Sequence, residues 1–198
     1  MWPSILQHAW RHAELSLDAL ACAAVLGCAL GVAAWAWSSV RGLVLGAAAL
    51  GRTIPSIALL TLLLPVLGIG IAPAIVALTL LALPPVLVNV DVALREVSPA
   101  VLDAATGLGM TPLQRFARVS VPLALPVALS GVRTASVEVI GSATLATFIG
   151  AGGLGDDIVR ALQTSDIPLL IAATVTVAAM AFVAEFLLGR LAARVEVH

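Results

Sequence analysis

Residues 96–112 read Glu96-Val-Ser-Pro-Ala-Val-Leu-Asp-Ala-Ala-Thr-Gly-Leu-Gly-Met-Thr-Pro112, and they stand between two long apolar runs. Ser98-Pro99 and Thr111-Pro112 each predict a helix start, because Ser and Thr are common N-cap residues and Pro is favoured at the first helical position. Gly109 suits the left-handed position after the first helix. Five charged residues place the segment outside the hydrocarbon: Arg95, Glu96, Asp103, Arg115 and Arg118. We therefore predict a short helix-turn-helix in water between membrane spans, a form suited to docking a soluble partner.

The first of these two helices is expected to be amphipathic. Val101, the pair Ala104-Ala105 and Leu108 recur at helical spacing. We expect them to form one apolar, knob-like face on a helix of about ten residues.

The composition is that of a membrane protein. Hydrophobic residues make up 61% of the 198 residues, and the mean hydropathy is +1.12, well above the roughly half-apolar average of soluble domains. This length suits about five spans of roughly 20 residues with short loops, so we expect an all-α polytopic membrane helix bundle. The apolar runs place the spans at Ala19–Val40, Gly42–Leu64, Ala74–Val90, Val121–Ile149 and Ile167–Ala184. A short polar tail over Leu191–His198 is expected to follow.

The charged residues exclude two function classes. A net charge of −1 with no basic patch excludes a nucleic-acid partner. All 10 basic residues are Arg, and a phosphate-binding loop of the Walker type needs Lys, so the chain cannot hydrolyse ATP by that machinery. Any ATP energy must come from another polypeptide.

Three charged residues interrupt the predicted spans, namely Arg52, Arg133 and Glu138. A charge in a span must face protein or water, so each is a candidate for a contact inside the bundle or for the wall of a translocation pathway. Arg133 and Glu138 point about 140° apart on a helix, so they need separate partners. Pro55, close to Arg52, invites a kink because it lacks a backbone donor.

The first span carries two features that bear on packing. Gly27-x-x-x-Gly31 offers a small-residue groove that favours close helix packing. Cys22 and Cys28 lie on different helical faces, so we expect buried thiols rather than a disulfide.

The polar segment 1–18 has no basic region before a short apolar core, so no cleaved signal peptide is expected. We expect an interfacial helix with Trp at the headgroup level. His8 and His12 have a metal-compatible i, i+4 spacing, but no third ligand is near, and the interfacial interpretation is favoured over a metal site.

Residues 150–155 match G-x-G-x-x-G, the dinucleotide-binding pattern. That pattern needs a preceding strand and a soluble βαβ unit, which this chain does not offer. A sharp backbone turn at the membrane surface is favoured instead.

The arginines predict an orientation. With five spans, six of them fall on one side and two on the other. Because cytoplasmic loops carry excess positive charge, we expect residues 96–112 in the cytoplasm, the N-terminus outside and the C-terminus in the cytoplasm. The larger set is Arg41, Arg95, Arg115, Arg118, Arg190 and Arg194; the smaller is Arg11 and Arg160.

The central segment resembles the cytoplasmic coupling loop of ABC-importer permeases. That loop reads Glu-Ala-Ala, three residues, Gly, nine residues, Ile, one residue, Leu-Pro. This chain keeps every spacing, with Asp for Glu, Val for Ile and Val for Leu, in the residues Asp103, Ala104, Ala105, Gly109, Val119, Val121 and Pro122. The segments that begin at Thr53 and at Ala143 are similar to those of the glycine betaine/carnitine/choline permeases.

The resemblance implies a function and its partners. It implies a single permease domain over residues 1–198, a type I ABC-importer fold and a coupling loop at 93–120. The partners implied are an ABC ATPase that binds the ATP, a second permease copy or paralogue, and an extracytoplasmic binding protein that delivers an osmolyte. No cofactor in this chain is implied, and it is not expected to be an enzyme. The ATPase-coupling residues implied are Asp103, Ala104, Ala105, Gly109, Val119 and Pro122.

Rival functions are less well supported. A methionine-type ABC permease shares the small five-span plan and is the runner-up. An ion-coupled secondary transporter would need more spans and internal repeats. An intramembrane enzyme has candidate nucleophiles in Ser136 and Ser142, but the three histidines lie outside the predicted spans. A structural anchor would not need charges within its spans.

Overall fold

The computed structural model describes residues 2–196, whose regular structure is entirely helical. A π-helical turn at Phe116–Ser120 and a 3-10 helix at Thr144–Ile149 flank α8. The predicted all-α class is confirmed. In chain order the α-helices are α1 Trp2–Ala36, α2 Ser38–Gly51, α3 Ser56–Leu62, α4 Leu64–Leu67, α5 Ile71–Arg95, α6 Pro99–Gly107, α7 Pro112–Arg115, α8 Val121–Ala143, α9 Leu154–Thr164 and α10 Ile167–Glu196.

Four stretches are long and apolar enough to cross a membrane, and a bent pair makes a fifth if it counts as one span. The bent pair consists of Ser38–Gly51 and Ser56–Leu67. The expected number of about five spans therefore holds, with one of them broken. The four continuous stretches are Ser4–Ala36, Ile71–Arg95, Pro112–Ile149 and Ile167–Val195.

The second span is broken rather than kinked. Its halves are bent by 103°, so the break is sharper than the kink predicted at Pro55 within Gly42–Leu64. Pro55 lacks an amide hydrogen and stands at the N-cap of α3 with ψ of 136°, and a residue before proline is disfavoured in the helical region. The chain therefore leaves its helical path before Pro55 and starts a new helix after it.

Helix α1 continues without a break from the polar N-terminal segment into the first span. The interfacial segment expected over residues 1–18 is therefore the first part of a membrane-length helix. The sequence predicted that His8 and His12 lie outside the spans. That expectation was wrong, because both lie inside the membrane-length helix. Helix α10 likewise continues to Glu196, and the last two residues of the expected tail lie outside the described range.

Helix α5 is the centre of the bundle and packs against α1 and α8. In the apolar 18-residue stretch of α5 that could cross a membrane, 61% is buried, against 11% in the corresponding stretch of α10. Gly27 and Gly31 allow the close approach of α1, because a Cβ at these positions would lie 2.7 Å from Val86 and 2.6 Å from Val90. The packing predicted for this glycine pair is confirmed, and its partner is α5.

The two cysteines of α1 are free and exposed. The prediction of buried thiols was wrong, because α5 covers the glycine face of α1 and leaves other faces open. The expectation against a disulfide between Cys22 and Cys28 is confirmed.

Candidate coupling surface and polar face

Helix α6 ends in a Schellman motif built around Gly109, which has φ of +80°. The Gly109 amide donates to the Thr106 carbonyl oxygen at 2.9 Å. The Met110 amide donates to the Ala105 carbonyl oxygen at 3.2 Å, and these two bonds define the motif. The predicted left-handed position is confirmed. At the other end Ser98 occupies the predicted N-cap position, although its side chain makes no capping bond.

A capping box starts α7. The Gln114 amide donates to Thr111 Oγ1 at 3.3 Å, and the Thr111 amide donates to Gln114 Oε1 at 3.0 Å. The sequence predicted the start at Thr111 but missed Gln114, although Thr-x-x-Gln is the readable signature of this box. Arg115 then donates from Nη1 to Thr106 Oγ1 at 2.8 Å, which ties α7 back onto α6.

One side of α6 packs on the bundle and the other is open. Ala105 is buried and Leu102 packs against the main core. Ala104 and Leu108 are exposed on the other side. The single apolar face predicted for this helix was therefore wrong, because contact with the core falls on Leu102 and Ala105 and turns the other apolar residues outward.

The open side forms a mainly apolar surface outside the membrane-length helices. Leu108 and Leu113 are 80% and 74% exposed, and Asp103 is exposed on the same helix as Leu108. Of the three remaining motif residues, Val119 is half-buried in the π-helical turn, and Val121 and Pro122 are exposed in the first turn of α8. We call the exposed set the coupling surface: Val101, Asp103, Ala104, Leu108 and Leu113.

A buried carboxylate joins three helices beside the coupling segment. Asp91 of α5 is fully buried. It accepts a bond from Arg41 Nη2 of α2 at 2.9 Å and one from Arg95 Nε at 2.9 Å. Arg95 Nη2 also donates to the carbonyl oxygens of Ala34 and Trp35, at 3.0 and 3.3 Å, at the end of α1. We call Arg41, Asp91 and Arg95 the clamp.

The sequence interpretation missed the clamp. The i, i+4 spacing of Asp91 and Arg95 is a readable signal for a helical ion pair. Nothing local points to Arg41, which lies 50 residues before Asp91.

Residues just before α6 and just after α7 both contact the last turn of α1. Arg95 holds it from the residues before α6. Phe116, after α7, stacks on Trp35 with ring centroids 5.4 Å apart. Because α6 and α7 lie between Arg95 and Phe116, the coupling segment is connected to the end of α1 at both of its ends.

Arg133 of α8 forms an ion pair with Glu185 of α10. Gly189, one turn further along α10, leaves room for the guanidinium, since a Cβ there would lie 3.4 Å from Arg133 Cζ. The expectation that Arg133 and Glu138 need separate partners is confirmed for Arg133. This contact ties α10 to α8.

Arg52 and Glu138 carry opposite charges, and neither is bonded to the other. Both are exposed. Among the described residues, the side chains of these two make no hydrogen bond and no ion pair within 4.0 Å. The Oγ atoms of Ser56 and Ser142 lie 3.4 Å apart and join α3 to the turn that follows Glu138. We call Arg52 and Glu138 the open pair.

The side of α8 that carries Glu138 is exposed, and apart from Val137, which is 40% exposed, its residues are polar or glycine. Thr134, Glu138 and Gly141 recur at helical spacing and are all exposed. A Cβ at Gly141 would have no neighbour within 4 Å. Since a charge inside a membrane bundle is costly unless it faces water or protein, we expect this side to face one of these rather than lipid. We call Thr134, Glu138 and Gly141, together with Arg52, the polar face.

At the opposite end of the bundle, a glycine turn packs against the start of α1. The expected sharp turn is confirmed by positive φ values of 73°, 80° and 99° at Gly150, Gly152 and Gly153. Within residues 2–196 no strand precedes this turn, so the element that a dinucleotide site requires is absent there.

The two N-terminal histidines bond within the bundle rather than to each other. His8 Nδ1 lies 2.7 Å from Asp157 Oδ2, and Arg160 Nη2 donates to Asp157 Oδ1 at 2.6 Å. His12 Nε2 lies 2.9 Å from the Ile140 carbonyl oxygen. Over the described part of the chain, no three His, Cys, Asp or Glu residues are grouped to hold a metal ion.

Comparison with solved structures identifies the fold. The chain matches inward-facing structures of the MetNI methionine ABC transporter with a TM-score of 0.88 and 23% identity, over 98% of this chain and 97% of the other. It also matches an amino acid ABC transporter with a TM-score of 0.74 and 17% identity, over 96% and 92% of the two chains. The fold is that of type I ABC-importer permeases.

Comparison with characterised sequences identifies the family. The osmoprotectant import permease OsmW of Salmonella typhimurium is 41% identical, over 93% of this chain and 86% of the relative. The carnitine transport permease OpuCB of Listeria monocytogenes is 36% identical, over 95% and 86%. The choline transport system permease OpuBB of Bacillus subtilis is 36% identical, over 93% and 85%. Residues 23–197 match the family model for the binding-protein-dependent transport system inner membrane component, and the chain belongs to that family.

Proposed function

We propose that this chain is the membrane-spanning subunit of an ATP-driven importer for quaternary-amine osmoprotectants such as glycine betaine, choline and carnitine. The observation that carries the proposal is similarity to permeases named for these compounds, at 35–41% identity over 93–95% of the chain. The methionine transporter that shares the fold is 23–24% identical and supports the fold alone.

The chain supplies the pathway and leaves the chemistry to its partners. A separate ABC ATPase binds and hydrolyses ATP, while this chain catalyses no reaction and holds no cofactor. Two permease subunits, either two copies or one with a paralogue, form the pathway. An extracytoplasmic binding protein delivers the osmolyte. The absence of Lys from the sequence supports this division, because a Walker loop needs that residue.

The coupling loop at 93–120 docks on the ATPase. Its exposed Leu108 and Leu113 give the apolar contacts that a protein interface favours. Ala105 faces the bundle and holds the helix from behind. ATP-driven closure of the ATPases pushes the coupling surface, and the clamp and the Trp35–Phe116 stack carry the movement to α1. The ATPase-coupling residues are Asp103, Ala104, Ala105, Gly109, Val119 and Pro122.

The subunit lies in the cell inner membrane with the coupling loop in the cytoplasm. The N-terminus lies outside and the C-terminus in the cytoplasm. Five crossings place six arginines on the loop's side of the membrane and two on the other, which supports this orientation.

The polar face lines the translocation pathway. Arg52 and Glu138 supply its charges, since both are exposed and unbonded within the described residues. Arg133 points to another side of α8, where Glu185 engages it, so it ties helices together beside the pathway.

Uptake by the complete transporter tests the proposal. Proteoliposomes that contain the permease, the ATPase and the binding protein are expected to accumulate glycine betaine, choline or carnitine when ATP is enclosed. Uptake of methionine alone would show that the chain is a methionine-type ABC permease. Uptake driven by an ion gradient without ATP would assign a secondary transporter.

A further inference from the structure

We propose that the open pair is a binding site for a dipolar ion, in which Glu138 receives a trimethylammonium group and Arg52 receives a carboxylate of the same molecule. The inference rests on the proposed function and assigns a site and a preferred substrate class to it. Glycine betaine and carnitine carry both groups, whereas choline carries only the trimethylammonium group.

The charged groups of the open pair are not bonded within the described part of the chain, so they are available to a ligand. In the clamp, opposite charges lie 2.9 Å apart and satisfy one another. Ser56 and Ser142, four residues beyond Arg52 and Glu138 respectively, lie 3.4 Å apart and bring the two regions together. Neither Arg52 nor Glu138 makes an ion pair within 4.0 Å in the described part of the chain. Two separated, exposed charges of opposite sign are complementary to a molecule that carries the reverse pair.

The backbone beside Arg52 indicates that this region meets water or protein. Residues 52–55 are exposed and non-helical inside the bent span. Irregular backbone at membrane depth is tolerated only where protein buries it or where it lines a water-filled cavity. Interrupted membrane helices form the substrate sites of several transporter folds.

The surroundings fit the two ends of such a ligand. A trimethylammonium group has no N–H to donate, so a carboxylate attracts it by charge and needs space for its methyl groups. Gly141, one turn beyond Glu138, leaves that space open. A guanidinium group can bind a carboxylate through two parallel hydrogen bonds. Binding by two exposed charges is weak, which suits a site that a passing substrate must leave.

Saturation-transfer difference NMR on the purified permease–ATPase complex, without binding protein, tests the site because it detects weak binding to the permease itself. The wild-type complex is expected to give trimethylammonium signals with both glycine betaine and choline. Arg52→Gln is expected to weaken glycine betaine binding about tenfold and to leave choline binding unchanged or stronger, because choline loses a repulsion. Glu138→Gln is expected to weaken the binding of both ligands. The control Arg194→Gln changes an exposed arginine near the end of α10 and is expected to weaken the binding of neither ligand.

The opposite response of the two ligands separates recognition from structural damage. An equal loss of both ligands in Arg52→Gln would assign a structural role to Arg52, such as pairing with a second copy, and would overturn the site. Absence of any signal from the wild-type complex would also overturn it. Uptake by the complete transporter is measured in parallel. If uptake is normal while the site fails, the proposed function stands; if no quaternary amine is taken up, both fall.

Discussion

The clamp and the open pair place charges in the same bundle in opposite ways. In the clamp a fully buried carboxylate meets two guanidinium groups at 2.9 Å. In the open pair two exposed charges have no bonded partner in the described residues. The first arrangement satisfies its charges within one subunit, and the second leaves them for a molecule outside it. The contrast distinguishes charges that hold the fold from charges available for function.

A substitution at Asp91 is the most direct test of this contrast and is expected to have the largest effect. Asp91→Asn leaves two guanidinium groups beside an uncharged amide, so we expect a loss of stability of at least about 2 kcal/mol and loss of uptake with it. Thermal unfolding of the purified complex measures the first effect. Asp18→Asn, an exposed carboxylate on the same bundle, is the matched control and should leave the melting temperature unchanged. A melting temperature of Asp91→Asn equal to that of the wild-type complex would show that the clamp does not stabilise the fold.

Gly109 tests whether the segment beside the clamp transmits force. Its φ is +80° and a Cβ there would meet no atom within 4 Å. The cost of Gly109→Val therefore comes from the backbone alone, about 1 kcal/mol or more for a β-branched residue. We expect normal membrane insertion, weaker ATPase co-purification and no uptake. Gly109→Asn, which tolerates the left-handed region, should recover part of the uptake. Normal ATPase retention and transport in Gly109→Val would make the loop a mere connector.

Glu138→Gln sharpens the comparison, because it repeats at the open pair the acid-to-amide change made at Asp91. The side chain is exposed and unbonded, so we expect an unchanged melting temperature together with a several-fold loss of glycine betaine uptake. Paired melting and uptake curves for the two variants measure this. A drop in stability equal to that of Asp91→Asn would mean that both sets of charges serve the fold.

Asp103→Ala is expected to have the smallest effect. The carboxylate is exposed on the coupling surface, and α6 remains intact without it. Surface charges contribute little, so uptake should fall by less than about fivefold with the ATPase retained. Complete loss of transport would assign Asp103 a direct and dominant contact with the ATPase.

Signals that act within a few residues were readable from the sequence. The helix starts at Pro99 and Pro112 and the left-handed Gly109 depend on capping and turn chemistry, which is local. The membrane spans depend on apolar content, which is also local. The coupling role assigned from motif spacing, and the pathway role assigned to Arg52 and Glu138 from their charge, stay predictions.

Features that depend on distant packing were not readable. Arg41 and Asp91 meet across 50 residues, and no local pattern pairs them. The buried side of α6 is set by where the bundle lies, so the predicted apolar face was divided between Ala105 and Leu108. Pro55 predicted a kink but not its size, which is 103°.

Helix α1 is bonded at both ends to residues that lie far along the chain. The partners of His8 and His12 follow 149 and 128 residues later. At its other end, Arg95 follows Trp35 by 60 residues. A nascent chain that has not yet reached Ile140 therefore carries His12 unpaired in an apolar helix, and translation must deliver α8 and α9 before that helix is anchored at both ends.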